Sequence, residues 1–390
     1  MSTTVEEIEK TETNKQTKNK LLLESLEIKG YRCFEHLTIE KLGRVNLIVG
    51  KNNVGKTALL ESLSVFFNKG NFSVLINFLE SRDEVGKITD QFGNKTLTSI
   101  SFKDLFTSQN NGQTERSKSI VIGGKFRNNL ETLSINLPKL RTPNGRLTEI
   151  GEKIAKYYKQ YSEDEGLMLE VKYERENSDQ FDLEYYNVLE NSLYVKQKNI
   201  SGISIIFEKA DGLNNKQLLI LWDEINKNDL KSFVLEAMKI IEKRIIDINF
   251  LGVPSGSTNL VPHIKTENST LQIPLKRFGD GLNRLLSLSM ALLSVRNGVL
   301  IVDEIESGLH YSVLPDVWKL IFKTARDLNV QVFATTHSYD CVQAFAEAAI
   351  DDEESEGNLI RLARKGDEIK AFTFDEKQLE TITKEHIEVR

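Results

Sequence analysis

The octapeptide GKNNVGKT, residues 50–57, constrains this chain more than any other stretch. It matches G-x-x-x-x-G-K-[ST] at Gly50, Gly55, Lys56 and Thr57. Glycines at those places let successive backbone N–H groups turn inward on a phosphate chain. Lys56 adds a point charge for β- and γ-phosphates, and the Thr57 hydroxyl is a ligand for Mg2+. Such a loop works between a buried strand and a helix, whose N-terminus contributes a positive end. The flanks predict both. RVNLIVG is a short apolar run of the buried, parallel kind. KTALLESLSVFFN carries Leu59, Leu60, Leu63, Phe66 and Phe67 at helical spacing. The plain alternative is a glycine-rich turn that only caps a helix, and the complete motif in this setting argues against it.

The acidic segment that should complete the loop comes much later. VLIVDE begins at Val299 and ends in Asp303 and Glu304. At the carboxyl end of a buried parallel strand, both carboxylates emerge beside the phosphate loop. Adjacent strand residues point to opposite sides, which predicts two roles. Asp303 holds the Mg2+ shell, and Glu304 orients or deprotonates the attacking water. VQVFATTHS brings His337 to a third strand end, where an imidazole bonds a γ-phosphate or the water. Alone, an acidic strand end or a lone histidine is weak; three suitable strand ends together predict a site.

Composition sets the limits. With 390 residues there is room for two domains or one elaborated domain. A formal charge of −6 argues against a surface that coats nucleic acid everywhere, though not against a local basic groove. Two distant cysteines, Cys33 and Cys341, exclude a disulfide framework and suit a reducing cytoplasm. No apolar run approaches the ~20 residues of a membrane span, so no membrane role is expected. Residues 1–20 are polar and read as a disordered tail rather than a secretory signal.

Along the chain, Leu26 and Ile28, then Leu37 and Ile39, mark two early strands. Between residues 70 and 210, rich in Asn, Ser, Thr, Lys and Gly, the runs KSIVIGGKF, LMLEVKYE, FDLEYYNV and ISIIFEK predict antiparallel strands. A helix is expected over LTEIGEKIAKYYKQYS, and helical spacing returns across 214–247. From Leu271, strand–helix alternation predicts a parallel sheet. A hairpin and a helix close the chain.

Four segments, GKNNVGKT, FGDGLNRLLSLSMALL, VLIVDEIESGLH and VFATTHS, stand in an order and spacing that resembles the ABC-type ATPase heads of the SMC, RecF and OLD group. The likeness is nearest to compact bacterial OLD-like "AAA family ATPases". The opening EIKGYRCFEHLTIEKLGRVNLIVG, the paired Asn52 and Asn53, and the ending FDEKQLETITKEHIEVR share it. It covers about residues 21–70 and 270–390 well and the middle poorly. The resemblance implies an α/β P-loop NTPase head with a mixed, largely parallel sheet and an antiparallel β subdomain. A helical lobe is inserted, with 71–269 lying between the two parts of the head. It implies nucleotide contacts from Gly50, Asn52, Asn53, Val54, Gly55, Lys56, Thr57 and Ala58. Gly279, Asp280 and Gly281 resemble the signature motif, with GDG where transporters have a serine and two glycines. Ser307, Gly308, Leu309 and His310 resemble the D-loop, and His337 the switch histidine. Arg32 resembles a basic residue that reaches the phosphates, with a surface arginine as the alternative. Gln91 and Gln109 both qualify for the Q-loop. In such heads the signature completes a second subunit's site, which implies an ATP-sandwiched dimer or higher oligomer.

Lys125, Arg127, Lys139, Arg141 and Arg146 cluster in the middle, as Lys15, Lys18 and Lys20 do in the tail. They make DNA a candidate partner, against a solvated loop. Fifty-three residues follow His337 (390 minus 337), too few for the TOPRIM nuclease domain of some OLD-type relatives. A nuclease or other effector is therefore expected on a separate chain. The leading expectation is an ATPase driving or gating a multi-chain complex, with antiphage defence its setting. A DNA-repair ATPase and a nucleotide-gated scaffold are the alternatives. No base-reading motif separates ATP from GTP.

Overall fold

The computed structural model describes residues 20–89, 96–100, 102–107, 117, 119–137, 148, 168–176, 178, 181–187, 202–252, 260–267, 269–352, 354–375, 378–379 and 381. In chain order the strands and helices are β1 Leu26–Tyr31, β2 Phe34–Ile39, β3 Val45–Val49, α1 Lys56–Phe67, α2 Phe72–Ser81, β4 Val85–Thr89, β5 Thr96–Ile100, β6 Ser119–Phe126, β7 Asn129–Asn136, β8 Met168–Arg175, β9 Phe181–Asn187 and β10 Ile205–Glu208. There follow α3 Asn215–Lys227, α4 Lys231–Met238, β11 Ile245–Gly252, β12 Leu260–Thr266, β13 Ile273–Pro274, α5 Asp280–Ser294, β14 Val299–Val302, α6 Leu314–Asp327, β15 Gln331–Thr335, α7 Tyr339–Asp351, β16 Gly357–Lys365 and β17 Glu368–Phe374.

The expected mixed α/β architecture is present. One six-stranded sheet runs β10-β14-β15-β3-β16-β17, parallel throughout except for the β16–β17 hairpin. A second, antiparallel sheet runs β2-β1-β6-β7-β8-β9. The strand before the phosphate loop, β3, does not touch the acid strand, β14. Strand β15 lies between them, so the residues that follow β15 fall between the loop and the acids.

Helix α1 is wedged between the two sheets. Every one of its residues except Thr57 is buried, and the buried carboxylate of Glu61 is paired with Arg82 at 2.8 Å. Phe66 meets Phe126 of the antiparallel sheet edge-on at 6.2 Å, and Phe67 meets Phe333 of the parallel sheet at 6.2 Å. Burying each such ring is worth about 1.5–3 kcal/mol, which fixes the C-terminal end of α1 against both layers. The opposite face of the parallel sheet is covered by α5, α6 and α7, with Trp318 packed edge-on against Phe345. A third apolar cluster joins α3, α4, β11 and β12 to α5.

Three expectations need correction. ISIIFEK does not join the antiparallel strands: β10 pairs in parallel with β14, Ile205 opposite Val299. Its unbroken Ile205–Phe207 run is the parallel signature, and a partner 94 residues away (299 minus 205) decided the pairing. The helical stretch expected to reach residue 247 stops at Met238, because Ile245 and Ile248 pair with β12 and enter the third cluster. Helix α2 interrupts a segment read as β-rich. Asn71 caps it by accepting from the Ser73 N–H, and Leu75, Phe78 and Leu79 bury one face. The expected helix at LTEIGEKIAKYYKQYS lies outside the described residues but for Thr148. Gln91, Gln109, Lys15, Lys18, Lys139, Arg141, Arg146 and the tail up to residue 19 lie outside them too. Among the described residues, no helix is long and apolar enough to cross a membrane.

Candidate nucleotide-binding site

The chain turns sharply as β3 ends. Gly55 has φ 100°, and a Cβ there would lie 2.6 Å from Cys33 Sγ and 2.8 Å from Phe34 Cζ. Conformation and space both demand glycine. Lys56 opens α1, and its ammonium donates to the carbonyls of Gly50 at 2.7 Å and Lys51 at 3.1 Å. Burial holds its pKa below the ordinary lysine value, and Asp303, Glu304 and Glu306 pull the other way. A buried cation at a helix N-terminus is a strong attractor for an anion.

The acid pair does not emerge as alternate strand positions. β14 ends at Val302, and Glu304 adopts a left-handed backbone, φ 47°. That turn carries both carboxylates toward the loop. Thr57 Oγ1 donates to Asp303 Oδ2 at 3.0 Å, and Thr335 Oγ1 donates to Asp303 Oδ1 at 2.6 Å. The Glu304 N–H donates to Thr335 Oγ1 at 2.8 Å. Glu304 Oε1 lies 3.2 Å from His337 Nε2.

Together these residues face a cleft of about 1460 Å3 lined by Gly50, Asn52, Asn53, Gly55, Lys56, Thr57, Ala58, Arg32, Glu304 and His337. Val54, in the loop itself, is buried, and Asp303, bonded to Thr57, is not among the lining residues. Gly279, Asp280 and Gly281 are not among the lining residues. Gly279 and Asp280 are exposed, and a Cβ on Gly281 would lie 2.8 Å from the Gly308 carbonyl. The GDG tip therefore packs on the loop Ser307–His310 of its own chain. Arg32 lines the cleft, but its Nη1 donates to both Glu84 oxygens, at 2.7 and 2.6 Å, and to the Asp104 carbonyl at 3.1 Å.

The family of AAA ATPase domains matches residues 22–234 and 214–342. The chain belongs to that family. The match runs straight through the middle region, where the resemblance read from the motifs was poor. An "ATP/GTP phosphatase" of Helicobacter pylori is 24% identical over 350 residues, 83% of this chain and 87% of that protein. An uncharacterised protein of Methanocaldococcus jannaschii is 31% identical over 108 residues, 27% of this chain and 42% of its own length. Among solved structures, an SMC head bound to the C-winged helix domain of ScpA superposes with TM-score 0.54 at 12% identity, covering 92% of this chain and 99% of the other. An SMC head with an extended coiled coil, bound to the C-terminal domain of ScpA derived from Pyrococcus furiosus, gives TM-score 0.50 at 10% identity over 94% and 99%. These likenesses establish an ABC/SMC-type ATPase head fold.

Several residues of this ATPase domain escaped the sequence reading. Thr335 bridges the acids. Glu306 Oε1 accepts from the His337 N–H at 2.7 Å and the Ser338 N–H at 3.2 Å, fixing the backbone that carries the histidine. The third acid of DEIE was a visible signal for Glu306. Arg284, buried behind the GDG tip, donates to the carbonyls of Asp303 and Glu304.

The donor set suits Mg2+. Thr57 and Asp303 place a hydroxyl and a carboxylate oxygen together, and this hard cation takes one or two such protein ligands with phosphates and waters. Among the described residues, no three His, Cys, Asp or Glu side chains converge on a metal site.

Proposed function

We propose that this chain binds ATP with Mg2+ and hydrolyses it at a site completed by a second copy, so gating a multi-chain complex. One observation carries the reading: Thr57, Asp303, Thr335 and Glu304 form a continuous hydrogen-bonded chain from the phosphate loop to the carboxylate beside His337. In this scheme Lys56 and the loop N–H groups grip the phosphates, with Asn52, Asn53 and Ala58 alongside. Thr57 and Asp303 would hold Mg2+, which when bound supplies positive charge to the phosphate oxygens. Glu304 takes a proton from the attacking water, and His337 orients that carboxylate. The Gly279–Gly281 tip, outside its own cleft and exposed at Gly279 and Asp280, is suited to offer N–H donors to the nucleotide of the neighbouring copy.

The nucleotide is ATP, and the "ATP/GTP phosphatase" relative supports turnover of GTP as well. The OLD-like motif pattern supports antiphage defence with a separate nuclease or effector in the cytoplasm. SMC heads crystallised with a ScpA domain support the idea of a partner chain. A DNA-repair role has less behind it: Lys125 is paired with Glu24 at 2.6 Å, and Arg127 lies 5.5 Å over the Phe126 ring.

Two measurements test the proposal. Phosphate release should require Mg2+, and light scattering should show dimers with MgATP that Asp280→Arg abolishes. Turnover by a strict monomer, or full dimerisation of Asp280→Arg, rejects the composite site. Purification of the tagged protein from its native operon tests the partner.

A further inference from the structure

Arg284 sits one helical turn behind the GDG tip, on α5, with its side chain 3% exposed. Its fork makes four hydrogen bonds. Nη1 donates to Glu208 Oε1 at 2.9 Å and to the Lys209 carbonyl at 2.7 Å. Nη2 donates to the Asp303 carbonyl at 3.0 Å and the Glu304 carbonyl at 3.1 Å. Glu208 itself is fully buried and ends β10, the strand that flanks β14; the Asp303 N–H donates to its carbonyl at 2.8 Å.

We propose that Arg284, braced by Glu208, is a positioning residue that transmits engagement of the GDG helix tip by a second copy to the turn carrying Glu304. The inference rests on the composite-site reading above and adds the route by which one site senses the other. A buried guanidinium is costly to keep unless its donors are bonded. Three of its four bonds go to main-chain carbonyls at two strand ends, so its work is geometric. A planar fork reaches both strand ends at once, Nη1 at the end of β10 and Nη2 at the turn after β14, where a lysine ammonium is a single point. The two carbonyls that Nη2 holds belong to a turn whose second residue has a left-handed backbone, a conformation that an L residue holds only when its surroundings enforce it. Helix α5 is rigid over this distance. A pull or rotation at Gly279–Gly281 moves Nη2 and with it the carbonyls of Asp303 and Glu304. Gly281, packed on the Gly308 carbonyl, links the same helix to the loop just beyond the acids.

The test uses the full chain with Arg284→Lys and, as the milder companion, Glu208→Gln. Nucleotide affinity is read with a fluorescent ATP analogue, dimerisation by light scattering, and specific activity across protein concentration at saturating MgATP. In the unmodified chain, specific activity should rise with concentration as dimers form. Arg284→Lys should bind nucleotide within about threefold and still dimerise, yet lose about tenfold or more in kcat and lose the concentration-dependent rise. Glu208→Gln should fall the same way by less, because three carbonyls still hold Arg284. If Arg284→Lys cannot be folded, the Glu208→Gln result decides. A variant that dimerises and keeps the rise overturns the proposal. So does a parallel loss of affinity and dimerisation, which marks a merely structural role. An unmodified chain that turns over with no concentration dependence instead overturns the composite site, and this inference with it.

Discussion

Glu304 Oε1 and His337 Nε2 lie 3.2 Å apart, the acid on the turn after β14 and the histidine after the neighbouring β15. Their contact couples the two side chains, and the proposed mechanism makes their effects non-additive. Glu304→Gln should retain nucleotide while lowering kcat by about 100-fold or more, and His337→Ala should lower it by about tenfold at similar KM. Because the residues touch, the double variant should be hardly slower than Glu304→Gln alone. Steady-state kinetics on all four proteins would check this; strictly multiplicative losses would mean that the histidine acts elsewhere.

Lys56 presents the opposite balance of binding and stability. Its charge is disfavoured by burial, which three nearby carboxylates only partly offset. Lys56→Met keeps the stem and removes the charge. It should weaken ATP binding by about 100-fold or more, while the melting temperature without nucleotide stays level or rises. A large drop in melting temperature would make the lysine a structural part of the fold.

What was legible in the sequence was whatever depends on local pattern. The phosphate loop needs glycines where φ is positive and a lysine at the head of a helix, and Gly55 and Lys56 are set by those local demands. β14 is a continuous apolar run, and β3 and β15 are apolar but for Asn46, Gln331 and Thr335, a pattern that burial between layers explains. The illegible parts depend on distant partners. β10 looked like one more strand of the antiparallel set until Ile205 found Val299. Arg284 carries no local pattern that marks it; only the meeting of α5 with β10 and β14 gives it four acceptors. The acid pair was placed in sequence but not in shape, since the left-handed turn at Glu304 comes from Thr335 and Arg284, not from its own residue type.

Glu208 gives the chain a pH signature. Burial pushes its carboxyl up to about 7, with Arg284 opposing and Asp211 adding to the rise. A folded-state pKa above the ordinary carboxyl value of 4.5 means the folded protein takes up a proton. The stabilisation from this group is full below about pH 4.5, falls as pH climbs to about 7 and levels off above, with a limiting slope of about 1.4 kcal/mol per pH unit. Glu208→Gln removes that slope. Denaturant unfolding of both proteins from pH 5 to 8 should show the variant gaining on the parent as pH rises. A gap that is constant across the range would place the titration elsewhere.

Thr335 offers a sharp test of how the acid turn is held. Its hydroxyl donates to Asp303 and accepts from the Glu304 N–H, so Thr335→Val removes both bonds at nearly constant volume. An N–H is left without its partner, at a cost of about 1–3 kcal/mol. Asp303 loses one of its two hydroxyl partners and keeps only Thr57. Both residues implicated in Mg2+ binding remain, while the orientation of one is released. Turnover should fall by about tenfold or more, and the Mg2+ concentration for half-maximal activity should rise. Binding of nucleotide without metal, which relies on Lys56 and the loop amides, should change little. A Mg2+ titration of ATPase activity beside a metal-free binding isotherm separates the two effects. An unshifted Mg2+ midpoint would show that Asp303 is oriented without Thr335, and the hydrogen-bonded chain from Thr57 to Glu304 would then not be what aligns the site.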